Sequence, residues 1–142
     1  MADINLRKAR LIIRKTLERG REMGLKPLSV VVLDAGGHEI AFEREDGAAP
    51  GRFVIARGKA FGAVMLGMGG SQQRDRAEAQ AYFMAALNGA YGGKVIPVPG
   101  GILLRDGKGR VVGAIGVTGD SSENDLTAGL AGAGAARLTA DG

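Results

Sequence analysis

The side chains of this chain that could transfer protons or bind anions fall into a few short clusters. We single out the carboxylates Glu43, Glu123 and Asp125, and Lys59, which stands within an otherwise apolar segment. Burial would lower the pKa of the Lys59 amine and allow it to act as a base or to bind an anion. The alternatives are a solvated lysine and carboxylates that only stabilise a helix N-terminus. Together these residues suit proton transfer on, or binding of, a small carboxylated molecule.

Metal and nucleophile chemistry is restricted by what the chain lacks. It contains one histidine, His38, and no cysteine. Zinc sites need three or four nitrogen, sulfur or oxygen ligands, so neither a structural nor a catalytic zinc site is expected. Disulfides and thiolate chemistry are excluded. The serines lack a G-x-S-x-G context, and no Ser-His-Asp arrangement is legible.

Glycine is unusually frequent, at 25 of 142 residues. Gly100, Gly101 and the glycines of residues 113–119, including Gly119, present backbone N–H groups near a predicted helix N-terminus. That setting suits a carboxylate or a phosphate, and we expect a cofactor or ligand to be bound there. No complete phosphate-binding motif is present, and close packing of strands on helices is the alternative explanation.

Charge and hydropathy limit the partners of the chain. The net charge is +4, and residues 1–26 hold eight basic residues against three acidic ones. We interpret this segment as the solvated face of an amphipathic helix, because the aromatic residues that stack on nucleic-acid bases are missing from it. No run of apolar residues is long enough to span a membrane. The N-terminus does not resemble a signal peptide, and a cytoplasmic protein is expected.

Hydrophobic periodicity predicts one domain, residues 1–142, with two β-hairpins and four helices. Asp3 is expected to cap the first helix, whose apolar stripe includes Leu6, and Ser71 is expected to cap the third. Because two separate hairpins leave strand edges open, the simplest arrangement joins them in one antiparallel sheet with helices on its faces, an α+β fold. The predicted elements are a helix from about 3 to 22, a hairpin over 28–44, helices over 52–66 and 73–90, a hairpin over 102–117 and a helix over 123–138.

Five phrases, taken in order, resemble the GlcG/HbpS family, which includes the C-terminal domain of PduO-type proteins. The match covers nearly the whole chain, and Glu123 and Asp125 follow its last phrase. The phrases are V-V-V-L-D-A-G-G-H (30–38), A-F-E-R-E-D-G-A (41–48), A-R-G-K-A (56–60), P-V-P-G-G (97–101) and G-A-I-G-V-T-G (113–119).

The resemblance implies a profilin-like domain with a five-stranded antiparallel sheet between helical layers. It also implies a homo-oligomer, built from dimers into tetramers or octamers. Since some members of the family bind haem, His38 is a candidate axial ligand, with Met65, Met68 or Tyr82 as candidate partners. A hydrogen-bonded or solvated polar residue in a hairpin turn is the alternative for His38.

Two functions stay open at this point. The first is an auxiliary, non-catalytic protein that binds haem or a small anionic metabolite near the hairpin loops. The second is a cofactor-independent enzyme of a catabolic pathway that transfers protons on, or hydrates, a small carboxylated metabolite. In the second case Lys59, Glu43 and either Glu123 or Asp125 would serve as acid, base and anchor.

Overall fold

Both predicted hairpins lie in a single antiparallel sheet. The computed structural model describes residues 3–142. Strands β1 (Ser29–Asp34) and β2 (Glu39–Arg44) form the first hairpin, and β3 (Gly101–Arg105) and β4 (Val111–Thr118) form the second. The inner strands β1 and β4 pair along their whole length, from Ser29 opposite Thr118 to Asp34 opposite Gly113. The shared sheet predicted from the sequence is therefore confirmed.

A fifth strand lies at the edge of the sheet beside β3. This strand, β5 (Thr139–Asp141), gives the order β2-β1-β4-β3-β5. The five-stranded sheet implied by the family resemblance is thus confirmed, although hydrophobic patterning indicated only four strands. Three residues are too few to show the alternation of apolar and polar residues by which a strand is recognised in sequence.

Helices cover both faces of the sheet and produce the predicted three-layer α+β architecture. Val30 and Val32 of β1 face the core formed with α1 (Leu6–Glu22) and α5 (Ser122–Ala135), whereas Val31 and Leu33 face α2 (Arg52–Leu66). Burial on both faces accounts for the uninterrupted apolar run of this strand.

The first helix begins two residues later than predicted. Its cap is Asn5, whose Oδ1 accepts a hydrogen bond of 2.8 Å from the backbone N–H of Lys8, so the assignment of Asp3 as the cap is wrong. Leu6, which the apolar stripe predicts to be buried, is 48% exposed. The buried face instead includes Ile12 and Thr16.

The third predicted helix, over 73–90, is two helices in the structure, α3 (Gly70–Ala79) and α4 (Ala81–Ala90). Gly69 occupies the cap position of α3, so the assignment of Ser71 as its cap is wrong. The helices are separated at Gln80, which has φ −141° and ψ 64°. Neither glycine nor proline lies at this point, and no local residue type signals the interruption.

The last helix starts and ends earlier than predicted. The Oγ of Ser121 caps α5 by accepting a 3.1 Å hydrogen bond from the N–H of Asn124. The helix stops at Ala135 instead of Leu138, because Arg137 adopts a left-handed conformation with φ 59° and turns the chain into β5.

Candidate functional site

A buried ion pair joins the two helical layers at the end of β4. Lys59 projects from α2 and Asp125 from the first turn of α5, which follows β4 after a short loop. The Lys59 Nζ donates to the carbonyl oxygen of Val117 at 2.9 Å and to Asp125 Oδ2 at 3.3 Å. The two side chains are only 3% and 1% exposed. Two of the four predicted catalytic residues are therefore in direct contact.

Burial and the attraction between Lys59 and Asp125 shift the pKa of each group in opposite directions. Burial lowers the pKa of the Lys59 amine, and the neighbouring Asp125 charge only partly opposes that effect. Burial likewise raises the pKa of Asp125 against the attraction of Lys59 and a hydrogen bond from the Asp120 N–H. That N–H lies 2.9 Å from Asp125 Oδ1, so both oxygens of the carboxylate have a donor. The Lys59 amine thus makes two hydrogen bonds, and each oxygen of Asp125 accepts one.

The predicted ligand-binding glycines allow the backbone to approach Lys59 closely. Gly100 has φ +106°, and a Cβ atom there would lie 2.9 Å from the Lys59 Nζ. At Gly101 a Cβ would collide with the Lys59 carbonyl oxygen. Gly119, with φ +144°, leaves no room for a side chain beside the carbonyl of Pro27. These contacts provide a packing role for the three glycines, and a cofactor-binding role stays a prediction.

Residues that sequence analysis did not single out complete this region. Arg52, in the first turn of α2, donates from Nη1 to Thr118 Oγ1 at 2.9 Å. Ser29 pairs with Thr118 across the sheet, and its buried Oγ has no hydrogen-bond partner in the described part of the chain. Arg52 offered no signal in the sequence beyond its position at a helix start, because its partner is 66 residues away.

The other two predicted catalytic carboxylates lie outside the buried pair. Glu123 is largely exposed on α5, where its Oε1 lies 3.4 Å from Arg74 Nη1. Glu43 lies on β2 and pairs with Val30, so it faces the α1 side of the sheet. There it lines a surface cavity of about 520 Å³ together with Leu17. Within one chain, the sheet separates Glu43 from the helix that carries Lys59.

The single histidine stands at the opposite end of β1 from the buried pair. Because Asp34 pairs with Gly113 and Ser29 with Thr118, the β1–β2 turn is about 17 Å along the strand from the Ser29 end. The His38 side chain is 79% exposed, and its Nδ1 lies 3.2 Å from Asp34 Oδ1. The structure therefore separates His38 from Lys59 and Glu123.

Asp34 organises the turn that carries His38. Its Oδ1 accepts hydrogen bonds from the backbone N–H groups of Gly36, at 2.9 Å, and of His38, at 3.0 Å. Slight burial opposes ionisation, but these backbone donors and the imidazole outweigh it and lower the pKa of Asp34. The ionised carboxylate holds the imidazole by Nδ1 and leaves Nε2 free of any hydrogen bond within the described chain.

Apolar side chains of α2 lie against the same turn. A Cβ atom at Gly37 would be 3.0 Å from the methyl group of Met65 and 3.5 Å from the ring of Phe61. The Arg57 guanidinium lies over that ring, 5.0 Å from its centroid, and its Nη2 donates to the carbonyl of Gly37. Of the predicted partners of His38, Met65 lies beside the turn, Met68 follows the end of α2, and Tyr82 is exposed on α4.

Metal and membrane features are limited in the described chain. Among residues 3–142, no three His, Asp or Glu side chains are grouped in a way that could hold a metal ion. No helix in this range combines the length and apolar character needed to cross a bilayer.

Comparison with known proteins identifies relatives over nearly the whole chain. Residues 4–134 match the family model described as "Haem degrading protein HbpS-like". A double mutant of HbpS from Streptomyces reticuli is 30% identical, with a TM-score of 0.81 over 94% of this chain and 87% of that chain. A complex of PduOC with haem is 24% identical, with a TM-score of 0.86 over 96% and 97% of the two chains. Protein ORFY of Klebsiella pneumoniae, at 22% identity and a TM-score of 0.86 over 96% and 92%, shares the fold. No curated protein matches the chain significantly.

Proposed function

The chain belongs to the HbpS-like family, and we propose that it is an oligomeric, non-catalytic binding protein that takes haem at the β1–β2 turn. Two comparisons support a haem-related role. The family model is described as a haem-degrading protein, and one solved relative, PduOC, is a complex with haem. The observation that carries the proposal is the imidazole of His38, exposed and fixed through Nδ1 by Asp34. A carboxylate on one ring nitrogen is the usual arrangement behind a histidine that binds a metal through the other.

The residues around the turn fit one edge of a haem. His38 would supply the axial nitrogen, Phe61 and Met65 an apolar wall, and Arg57 a positive charge for a propionate. Haem bound there would supply an iron centre for ligand binding or redox chemistry. The wall on a single chain is narrow, so a second copy is expected to cover the remaining face of the porphyrin.

Titration with hemin tests this assignment. We expect the wild-type protein to bind hemin saturably with a shifted Soret band, and His38→Ala to lose the shift. Asp34→Asn, which keeps the size of the side chain but removes its charge, should weaken binding roughly 10-fold or more, because it loosens the imidazole. Lys26→Ala, an exposed residue before the opposite end of β1, serves as the control. Equal binding and identical spectra for wild type and His38→Ala would exclude His38 as the ligand.

Helix α4 supports the oligomeric part of the proposal. It carries no charged residue, and only Met84 is buried within the chain. Tyr82 is 74% exposed and Phe83 is 41% exposed. A monomer rarely leaves such a surface in water, and an uncharged helix complements a second copy of itself. We therefore assign α4 to the contact between copies.

A catalytic function of the buried pair, Lys59 and Asp125, is the second candidate. Ionisable groups with shifted pKa values often occur at catalytic sites, and Lys59 and Asp125 both have shifted values. Catalysis would require their contact to open, because both partners are enclosed and hydrogen-bonded. Assays with small carboxylated metabolites would test this alternative. Turnover that is unchanged in Lys59→Ala would remove Lys59 from any mechanism.

A further inference from the structure

A basic groove lies between the start of α1 and the end of α5, away from both sites described above. Its volume is about 560 Å³, within the range of small-molecule sites. The two helices run in opposite directions here, since Gly132 faces Ile12 whereas Ala136 lies near Asn5. The groove is lined by Asn5, Arg7, Lys8, Leu11, Arg14, Ala135, Ala136 and Arg137.

Four cations line this groove, namely Arg7, Lys8, Arg14 and Arg137, and one acidic side chain, Glu43, shares a neighbouring cavity with Arg14. None of its lining residues is acidic, and none of the four cations forms an ion pair within residues 3–142. Three other basic residues of α1 do form ion pairs: Lys15 and Arg19 with carboxylates of the same helix, and Arg21 with Glu45. The positive dipole end at the α1 N-terminus is opposed by the negative dipole end at the α5 C-terminus, so the charge of the groove comes from its four cations. The result is a concentrated positive potential over an apolar floor.

Arg137, one of the four cations, has an unusual backbone conformation. The residue occupies the left-handed position of a helix C-terminal motif, with Leu138 N–H donating to Ala133 O at 3.1 Å. Glycine is preferred there, and every other described residue with positive φ is glycine. A side chain at this position strains the left-handed backbone. The negative dipole end of α5 attracts the Arg137 charge and so offsets part of that strain. This attraction does not explain why the side chain lines the groove.

We propose that this groove binds a small ligand that carries two or more phosphate groups. Four cations from two helices suit several closely spaced negative charges better than one. The short groove has no aromatic lining residue on which a nucleic-acid base could stack, which argues against a single strand as the ligand. The site lies across the sheet from α2, so it is independent of the proposed haem site.

Calorimetric titration with inorganic tripolyphosphate tests the proposal. We expect saturable binding of one tripolyphosphate per chain, and weaker binding of inorganic monophosphate. Arg137→Gly should weaken tripolyphosphate binding about 10-fold, the effect of losing one charge-assisted hydrogen bond. This variant also relieves the positive φ, so its melting temperature should equal or exceed that of the wild type. Arg14→Ala should weaken binding to a similar degree.

The control is Lys94→Ala, which removes one positive charge on the α2 side of the sheet. It should leave the affinity within about twofold, because charges on the far surface are screened. Non-saturable binding, or equal losses in Lys94→Ala and Arg137→Gly, would show a general charge effect and overturn the proposal. Duplex DNA that binds more tightly than tripolyphosphate, with no effect of Arg137→Gly, would overturn it as well.

Discussion

Lys59 and Asp125 belong to helices on opposite faces of the sheet, yet their charged groups meet 3.3 Å apart at the end of β4. Their contact is possible because Gly100 and Gly101, at the start of β3, leave space where side chains would otherwise stand. The loop before β3 is attached at the same place, because Gly100 O accepts a hydrogen bond from the Val117 N–H and Lys59 binds the Val117 carbonyl. The buried ion pair therefore lies where α2, α5, the end of β4 and the loop before β3 meet.

Loss of Lys59 should destabilise the fold in a pH-dependent way. Lys59→Met leaves the buried Asp125 carboxylate uncompensated and should lower the free energy of unfolding by about 3–5 kcal/mol at neutral pH. Burial already raises the pKa of Asp125, so protonation relieves the penalty. The Asp125 contribution is complete below its unfolded pKa of 3.8 and is lost as the pH rises through the folded value. Urea unfolding should therefore show a smaller deficit at pH 5 than at pH 8.

A double variant is the matched control for that experiment. Lys59→Met with Asp125→Asn removes both charges but keeps an oxygen that can accept the Asp120 N–H. Much of the lost stability should return, and the difference between pH 5 and pH 8 should disappear. A single variant whose deficit does not change with pH would contradict an uncompensated carboxylate.

Asp120 should govern stability in acid. Its side chain accepts hydrogen bonds from Asn124 Nδ2 and from the N–H groups of Lys26 and Ser121. These bonds lower its pKa from 3.8 to about 2. Because the folded value is depressed, the stabilisation is present above pH 3.8 and is lost as the pH falls through about 2. Asp120→Ala should lose less stability than the wild type between pH 4 and pH 2 in urea titrations. Parallel curves for the two proteins would argue against this role.

Gly116→Ala should test the close packing of α2 on the sheet. A Cβ at Gly116 would overlap the carbonyl oxygen of Ala56, which belongs to a rigid helix and cannot move independently. We expect the free energy of unfolding to fall by about 2–3 kcal/mol. Gly107→Ala is the control, because nothing lies within 4 Å of the added methyl group. It should change stability by less than about 0.5 kcal/mol.

Charge placed on α4 should break the association of copies. Phe83→Glu removes an exposed aromatic ring, over which the Arg76 guanidinium lies 4.5 Å from the centroid, from the surface that we assign to the contact between chains. The contact would lose the apolar area of that ring. Sedimentation should show a smaller species than for the wild type at the same concentration. Leu6→Glu, which alters an exposed apolar residue of α1, should sediment like the wild type. Identical sedimentation for Phe83→Glu and wild type would exclude α4 from the contact.

Local patterns in the sequence determined most of the secondary structure and the shared sheet. Runs such as Val30–Val32 are apolar because both of their faces are covered, and the bounds of α2 match those predicted. The split at Gln80 and the short strand β5 lay outside the reach of such patterns. The strand β5 depends on pairing with β3, which is distant in sequence, and neither feature contains enough periodic residues to be recognised alone.

The sequence alone indicates which residue types could carry chemistry, but only the tertiary structure decides which of these residues contact each other. Asp125 looked like a helix-capping carboxylate, and Lys59 looked like a solvated amine as much as a buried one. The two residues are 66 positions apart in sequence and meet past the end of the inner strand β4, so no spacing in the chain encodes their contact. In the same way, the sheet separates Glu43 from Lys59 and removes His38 to the far turn. Composition determined which chemistry the chain carries, whereas the fold decided which groups meet and which are buried, because burial and distance are properties of the whole packed structure.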